Sequence, residues 1–436
     1  MQNAKDFSAC VEYALSVLLG KNFRQQYPEI KIFYRRPEEK TDGPGIYIVP
    51  SGFFGNEYGM TTSLPNLPLK NIEGVPLLYG EPVVTRKGNS LVIHADIIAS
   101  TFFMVTRYEE IARRDVRDIY GRFMGRQSVP FRAGFIDRPI VEEYAVLLRK
   151  WLSQVGIQVP EPERKFTAVL THDVDSLFKY DKISQPLRQV AKAFLGREPF
   201  GSIIESLLVP LGLKEDPYHP DKFLKLDRSF GHITPSCKKQ SMFFFMSNCS
   251  TYKIHKKRVG NIIKRIHESG AIVGLHSSLH AGYNPELISK EKSALEQACG
   301  FPILHNRHHY LSWREVEDGW ALAKAGIKWD STLGYADVAG FRLGVCHPIE
   351  LFDPIRIEPF GIEEHPLIIM DVTLSSPNYM NLDKKQALKC CLQLADQVRK
   401  HQGEFVVLWH SHEFDCRPNN YHPDLYTALL DELSSS

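Results

Sequence analysis

From about residue 165 onward the chain repeats one pattern. Runs of apolar residues at 166–170, 242–246, 271–275, 303–305, 326–329, 367–370 and 404–409 each end in polar residues and lead into a helical stretch. Continuously apolar strands alternating with helices predict a parallel sheet covered on both faces, or a barrel. Seven such runs predict an α/β fold, a distorted (β/α) barrel of about seven parallel strands over 165–436. The 177–240 stretch is too long for a simple connection, so it should carry its own helices. Apolar spacing predicts a further helix over 384–400. The basic run 253–258 leads into Ile262, Ile263 and Ile266, which reads as the solvated face of an amphipathic helix.

The first 160 residues have another texture, with turn signals at 41–45, 65–68, 80–82 and 87–89 between short β-branched or aromatic runs at 46–49 and 90–93. Helical patterns cover 100–114 and 141–155. These elements predict a smaller α+β domain at 1–160, ending in the polar, proline-broken segment 159–164. Phe7, Val11, Ala14, Leu15 and Leu18 fall on one face of an N-terminal helix that Gly20 ends. Asp6 and Glu12 interrupt that segment and no small-x-small cleavage site follows, so it reads as mature protein of the cytoplasm.

With 53 basic and 51 acidic side chains the formal net charge is +2, which gives no field to gather nucleic acid or anionic lipid. No apolar stretch is long enough for a transmembrane segment. The eight cysteines show no CxxC spacing, and they read as reduced and structural, with Cys390 and Cys391 inside the 384–400 helix. The oligomeric state is not legible.

In parallel α/β architectures, side chains at the C-terminal strand ends converge on one face. Here those ends carry Asp173 and Asp175, His276 and His280, Arg307 with His308 and His309, Asp330, and His410. His276 and His280 are four apart, so on a helical turn both imidazoles face one side and share an ion with Asp175. Two histidines and one aspartate make a catalytic metal set with positions left for water and substrate.

The series Thr171-His172-Asp173-Val174-Asp175, His276-Ser277-Ser278-Leu279-His280, Arg307, Asp330 and Leu408-Trp409-His410 resembles, in order, the five motifs of the polysaccharide deacetylase family, carbohydrate esterase family four. Some bacterial members are similar also in carrying an additional N-terminal domain. The resemblance implies a metal-dependent hydrolase that removes acetyl from an N-acetylated sugar of a polysaccharide or glycolipid precursor. It implies a divalent ion, zinc first, held by Asp175, His276 and His280. It makes Asp173 the general base, Arg307 its charge partner, His410 the general acid, Asp330 the partner of His410, and Leu408 a lining of the acetyl pocket. The chain departs from the family in the residue between its two aspartates, which leaves open which of them binds metal. It departs again in lacking the proline of the third motif, where His308, His309, Tyr310 and Trp313 stand, making Trp313 a candidate substrate contact.

The chemistry of amide hydrolysis asks for the same set: an activated water, a base for its proton and an acid for the departing amine. His412 is a second candidate for the acid. Arg342 and Asp371 follow turn or strand ends and are candidate substrate contacts, whereas His172, His305, His309 and His347 read as packing or supporting residues. Two other functions fit the pattern, a same-fold hydrolase of a non-sugar amide and a glycan-binding protein without turnover.

Overall fold

The structure is a computed structural model that describes residues 6–37, 45–180, 185–195, 201–230, 238–314, 316–415 and 417–435. In the N-terminal region, β1 (Ile32–Tyr34), β2 (Ile46–Ile48), β5 (Gly80–Lys87) and β6 (Ser90–Ala95) form a sheet in the order β1-β2-β6-β5, beside a small hairpin of β3 (Lys70–Ile72) and β4 (Val75–Leu77). The expected strands at 46–49 and 90–93 are β2 and β6. The first helix, Ser8–Leu19, stops at Gly20, whose φ of 104° suits a residue without Cβ. The helix expected over 100–114 is two, Ile97–Val105 and Tyr108–Ala112, broken at Arg107 with φ 54°. Tertiary contacts outweigh helix continuity there. The Arg107 guanidinium is buried over the Trp313 ring at 4.9 Å and lies 3.5 Å from Glu110.

The large sheet contains β7 (Thr167–Val174), β8 (Lys238–Phe245), β9 (Ile272–Ser277), β10 (His305–His308), β11 (Trp329–Asp330), β12 (Ile349–Asp353), β13 (Glu358–Glu364), β14 (Ile369–Met370) and β15 (Glu404–His410). Its order is β12-β13-β11-β10-β9-β8-β7-β15-β14, with every pairing parallel except β12 with β13. Each of the seven expected runs supplies a strand. The β12–β13 hairpin is additional, and β13 escapes a search for apolar runs because its buried positions alternate with exposed ones. Between β13 and β14, His365 N–H donates to Asp330 of β11 (2.9 Å) and Ile368 N–H donates to Val406 of β15 (3.1 Å). One continuous segment therefore touches both the β11 and the β15 sides of the sheet.

The two-residue period of the strands sorts their side chains. Val169, Met242, Phe244, Leu367, Met370, Val406 and Leu408 form one apolar cluster on the inner face. Their neighbours Leu170, Phe243, Phe245, Val273, Leu275, Val407 and Trp409 point outward against helices such as Lys257–Glu268 and Lys384–Lys400. Cys390 and Cys391 lie in the second of these, as its periodicity predicts. The connection from β7 to β8 carries helices Gln185–Phe194, Gly201–Leu208 and Asp221–Ser229.

Residues 157–166 between the two strand systems have no regular structure, yet the outer core continues without a break into Cys10, Ala14, Leu18 and Phe102 of the N-terminal region. Tyr13 stacks on Phe352 (4.5 Å between ring centres) and its hydroxyl donates to the Glu350 carbonyl. Arg342, expected at the substrate, instead donates twice to Glu110 at 2.9 and 2.7 Å, both side chains buried. Its position after a turn suggested exposure, but the N-terminal region packs over it. Glu110→Ala leaves that guanidinium buried with one carboxylate fewer, so it should destabilise the fold by about 3–5 kcal/mol in denaturant titration. A loss below about 1 kcal/mol would show the pair to be accessible to water.

Candidate metal and catalytic site

Register brings the polar strand ends together. Asp173 pairs across with His410 between β7 and β15, and His276 with Arg307 between β9 and β10. All four extend the inner-face alternation, so they cap the apolar cluster that contains Leu408. Gly274, on the same face below His276, leaves room for the Phe244 ring, which a Cβ there would meet at 2.5 Å. The Arg307 guanidinium lies over that ring at 4.6 Å.

Arg307 is fully buried and has each nitrogen occupied. Nε donates to the Ser331 carbonyl (2.8 Å), Nη2 to Ser331 Oγ (2.8 Å), and Nη1 to Thr171 Oγ1 (2.5 Å) and Asp173 Oδ1 (3.3 Å). This arrangement holds Asp173 in one orientation, its other oxygen 3.6 Å from His276 Nε2.

His276 Nδ1 lies 2.9 Å from the Arg307 carbonyl, a bond that only a protonated Nδ1 can make. In the neutral imidazole the lone pair is then on Nε2, which faces Asp175 Oδ1 at 3.3 Å and Asp173 Oδ2 at 3.6 Å. Both His276 Nε2 and Asp175 Oδ1 are buried without a hydrogen-bond partner. His309 Nε2 approaches the other Asp175 oxygen at 3.8 Å. Asp175, His276 and His309 each offer a ligand atom, all within 4.8 Å of one another. Burial lowers the basicity of His309, with the nearby His276 adding to it, down to about 4. It is a neutral imidazole at pH 7, the form that ligates metal. Burial alone would raise the Asp175 carboxyl, but His276, His410 and His309 around it hold it far below the ordinary carboxylate range.

The expected third ligand, His280, is not in this group. After β9 the chain turns, with Ala281 N–H bonded to the Ser278 carbonyl, and His280 is exposed. The i,i+4 argument required a helix that does not form. His309, expected as a packing or supporting residue, takes that place instead. Its place in the sequence, directly after β10 and two residues on from Arg307, was the signal for it.

His410 is held by Asp371, not by Asp330. Its Nδ1 donates to Asp371 Oδ1 and its backbone N–H to Oδ2, each at 2.7 Å. Burial would lower the imidazole, but the Asp371 carboxylate outweighs it and pushes His410 up to about 10. Asp371 itself, although buried, falls to about 2 beside His410. The free Nε2 lies 4.0 Å from Asp175 Oδ2. Asp330 accepts from Asn306 Nδ2 (2.7 Å) and Thr332 N–H (2.9 Å), on β11, which does not pair with β15. Asp371 comes directly after β14, whose pairing of Met370 with Leu408 sets it beside His410. Trp313, expected at the substrate, is buried between Arg107 and His308. His172 points outward and pairs with Asp227 at 3.1 Å.

Two clefts of about 420 and 650 Å³ lie elsewhere, one around Thr62, Lys70 and Tyr79 and one around Tyr180, His219 and Arg258. No helix among the described residues is long and apolar enough to cross a membrane.

Residues 7–156 match a family of unknown function (DUF7033). No curated protein matches the sequence. Among solved structures, the chain is similar to a "putative polysaccharide deacetylase" from Mycobacterium smegmatis, at 20% identity and a TM-score of 0.40, over 64% of this chain and 87% of that one. It is similar also to a polysaccharide deacetylase from Bacillus cereus (12% identity, TM-score 0.29, 63% and 88% covered). A third is the chitin deacetylase of the fungal pathogen Colletotrichum lindemuthianum (13% identity, TM-score 0.29, 63% and 83% covered).

Proposed function

We propose that the chain is a metal-dependent hydrolase that removes the acetyl group from an N-acetylated sugar. It would act on a distorted (β/α) barrel at 165–436 in which β13 and β14 together form one of seven staves, with 1–160 as a smaller domain packed against it. The observation that carries the reading is His276. Its Nδ1 is committed to the Arg307 carbonyl, so in the neutral ring its lone pair is aimed at two carboxylates, an arrangement that a bound divalent ion would satisfy.

Asp175, His276 and His309 fit a divalent ion such as zinc, with two nitrogens and one carboxylate oxygen and partly exposed Asp175 and His309 side chains facing solvent. When bound, such an ion supplies a nucleophile at neutral pH and positive charge for a developing oxyanion. Arg307 holds Asp173 in one orientation, so that Asp173 takes the proton of the attacking water. His410, protonated by its pairing with Asp371, delivers a proton from Nε2 to the departing nitrogen. Leu408, beneath these groups, offers an apolar floor for the acetyl methyl. His412 is a poor substitute as acid, because burial and the neighbouring charge of His410 lower it. The test is incubation of the zinc-loaded chain with an N-acetylated oligosaccharide. Acetate and free amine should appear in equal amounts and cease on chelation. Turnover confined to non-sugar amides would contradict the substrate class.

The acid must carry its proton, so activity is retained below its pKa and lost above it. With His410 raised by Asp371, the alkaline limb of the rate profile should lie above neutrality and below about 10, since a cation at Asp175 cancels part of the pull. Asp371→Asn removes the cause, so the limb should move to lower pH by more than one unit. A limb that stays in place would assign it to another group.

A further inference from the structure

The geometry points to Tyr120, in the N-terminal region, as a positioning residue for the metal ligand His309, acting through Tyr310. The inference rests on the metal site proposed above.

The loop after β10 is unusual, because Tyr310 and Leu311 are consecutive non-glycine residues with positive φ, 64° and 54°. Such backbone persists only where its surroundings impose it. Here they consist of a stack of planar groups. The His309 ring lies 4.0 Å from the Tyr310 ring at an interplanar angle of 28°, and the Tyr310 ring lies 4.5 Å from Tyr120 at 13°. Two near-parallel rings cannot share one face at those separations, so Tyr310 is sandwiched between them. The Arg122 guanidinium sits 4.8 Å from the Tyr120 ring centre and closes the series.

The three layers beyond His309 are anchored across the two regions. Arg122 Nη1 donates to the Tyr310 carbonyl (3.2 Å), Nη2 to Tyr379 Oη (3.1 Å) and Nε to Asp118 Oδ2 (2.8 Å). Asp118 Oδ1 in turn accepts the backbone N–H groups of Tyr120 and Arg122, both at 2.9 Å, which makes the loop a tight turn. Ser312 Oγ donates to the Tyr120 carbonyl at 2.8 Å. His276 has its second nitrogen fixed by a carbonyl, but no hydrogen bond orients His309 among the contacts of the described residues. The stack takes that part, and it gives the N-terminal region a direct influence on the metal.

The test is cobalt affinity of the full chain, measured by chelator competition and by the visible absorption band of bound cobalt. Tyr120→Leu should weaken affinity about tenfold and alter the band, within the range expected of groups that orient a ligand, while Tyr120→Phe restores both. Ile119→Ala, on the same loop and exposed, should change neither. If Tyr120→Leu does not fold, Arg122→Gln, which loosens the outer layer, should weaken affinity several-fold. Unchanged affinity and band in Tyr120→Leu, or in Arg122→Gln where that variant is the one measured, would overturn the inference. His309→Ala separates this from the reading beneath it. If that variant keeps full affinity, the metal site is wrong; if it loses affinity while the Tyr120 variants do not, only the positioning role falls.

Discussion

Asp173→Asn should lower turnover by about two to four orders of magnitude while leaving the metal content near that of the unmodified chain, the usual loss when a general base is removed. The expectation comes from the neighbours of the two aspartates. Asp173 lies between Arg307 and His276, with one oxygen 3.3 Å from a guanidinium nitrogen, whereas Asp175 has imidazoles on both oxygens. An arginine beside a carboxylate competes with a metal ion for the same lone pairs and disfavours ligation by repulsion. Asparagine keeps the shape of Asp173 and loses its capacity to take a proton. Metal analysis beside a rate measurement separates the possibilities. If Asp173→Asn loses its ion and Asp175→Asn keeps it, the two roles are exchanged.

His309→Ala should lose both the ion and the activity, whereas His280→Ala should keep both. Removing one of three protein ligands leaves two, too few to hold a catalytic ion against dilution, so affinity should fall by about two orders of magnitude or more. His280 is exposed in a turn and contributes no ligand atom to the group formed by Asp175, His276 and His309. Equilibrium dialysis against zinc reads the difference directly. Loss of zinc in His280→Ala with retention in His309→Ala would restore the HxxxH pairing and require the 278–281 turn to rearrange.

The contrast between those two histidines shows how far the amino-acid order reaches. Strand ends were legible because buried parallel strands are apolar throughout and stop where polar residues begin, which brought out Asp173, Asp175, His276, Arg307 and His410. The course of the chain beyond a strand end was not. The i,i+4 spacing of His276 and His280 has meaning only on a helix, and the turn at Ser278–Ala281 removed it. His309 stands directly past the end of β10, two residues on from Arg307, where the short turn 309–311 places it. Asp330 and Asp371 both lie at strand ends, and nothing local distinguishes them as partners of His410. The choice depends on strand pairing, which sets β14 directly beside β15 and leaves β11 unpaired with it. Arg342 and Trp313 were misplaced for a related reason: the N-terminal region covers them, and no local pattern announces a partner more than 200 residues away. The break at Arg107 has the same origin, since its helix yields to the contact with Trp313.

Catalysis of the kind proposed depends on Asp175, His276 and His309 holding a divalent ion next to Asp173 and His410. Diffraction from zinc-grown crystals, recorded on both sides of the zinc absorption edge, decides whether they do. One strong anomalous peak is expected within bonding distance of Asp175 Oδ1, His276 Nε2 and a nitrogen of His309, about 2.0–2.2 Å from each. A peak bounded by His280 and not His309, or no peak at Asp175 in zinc-saturated crystals, would contradict the assignment.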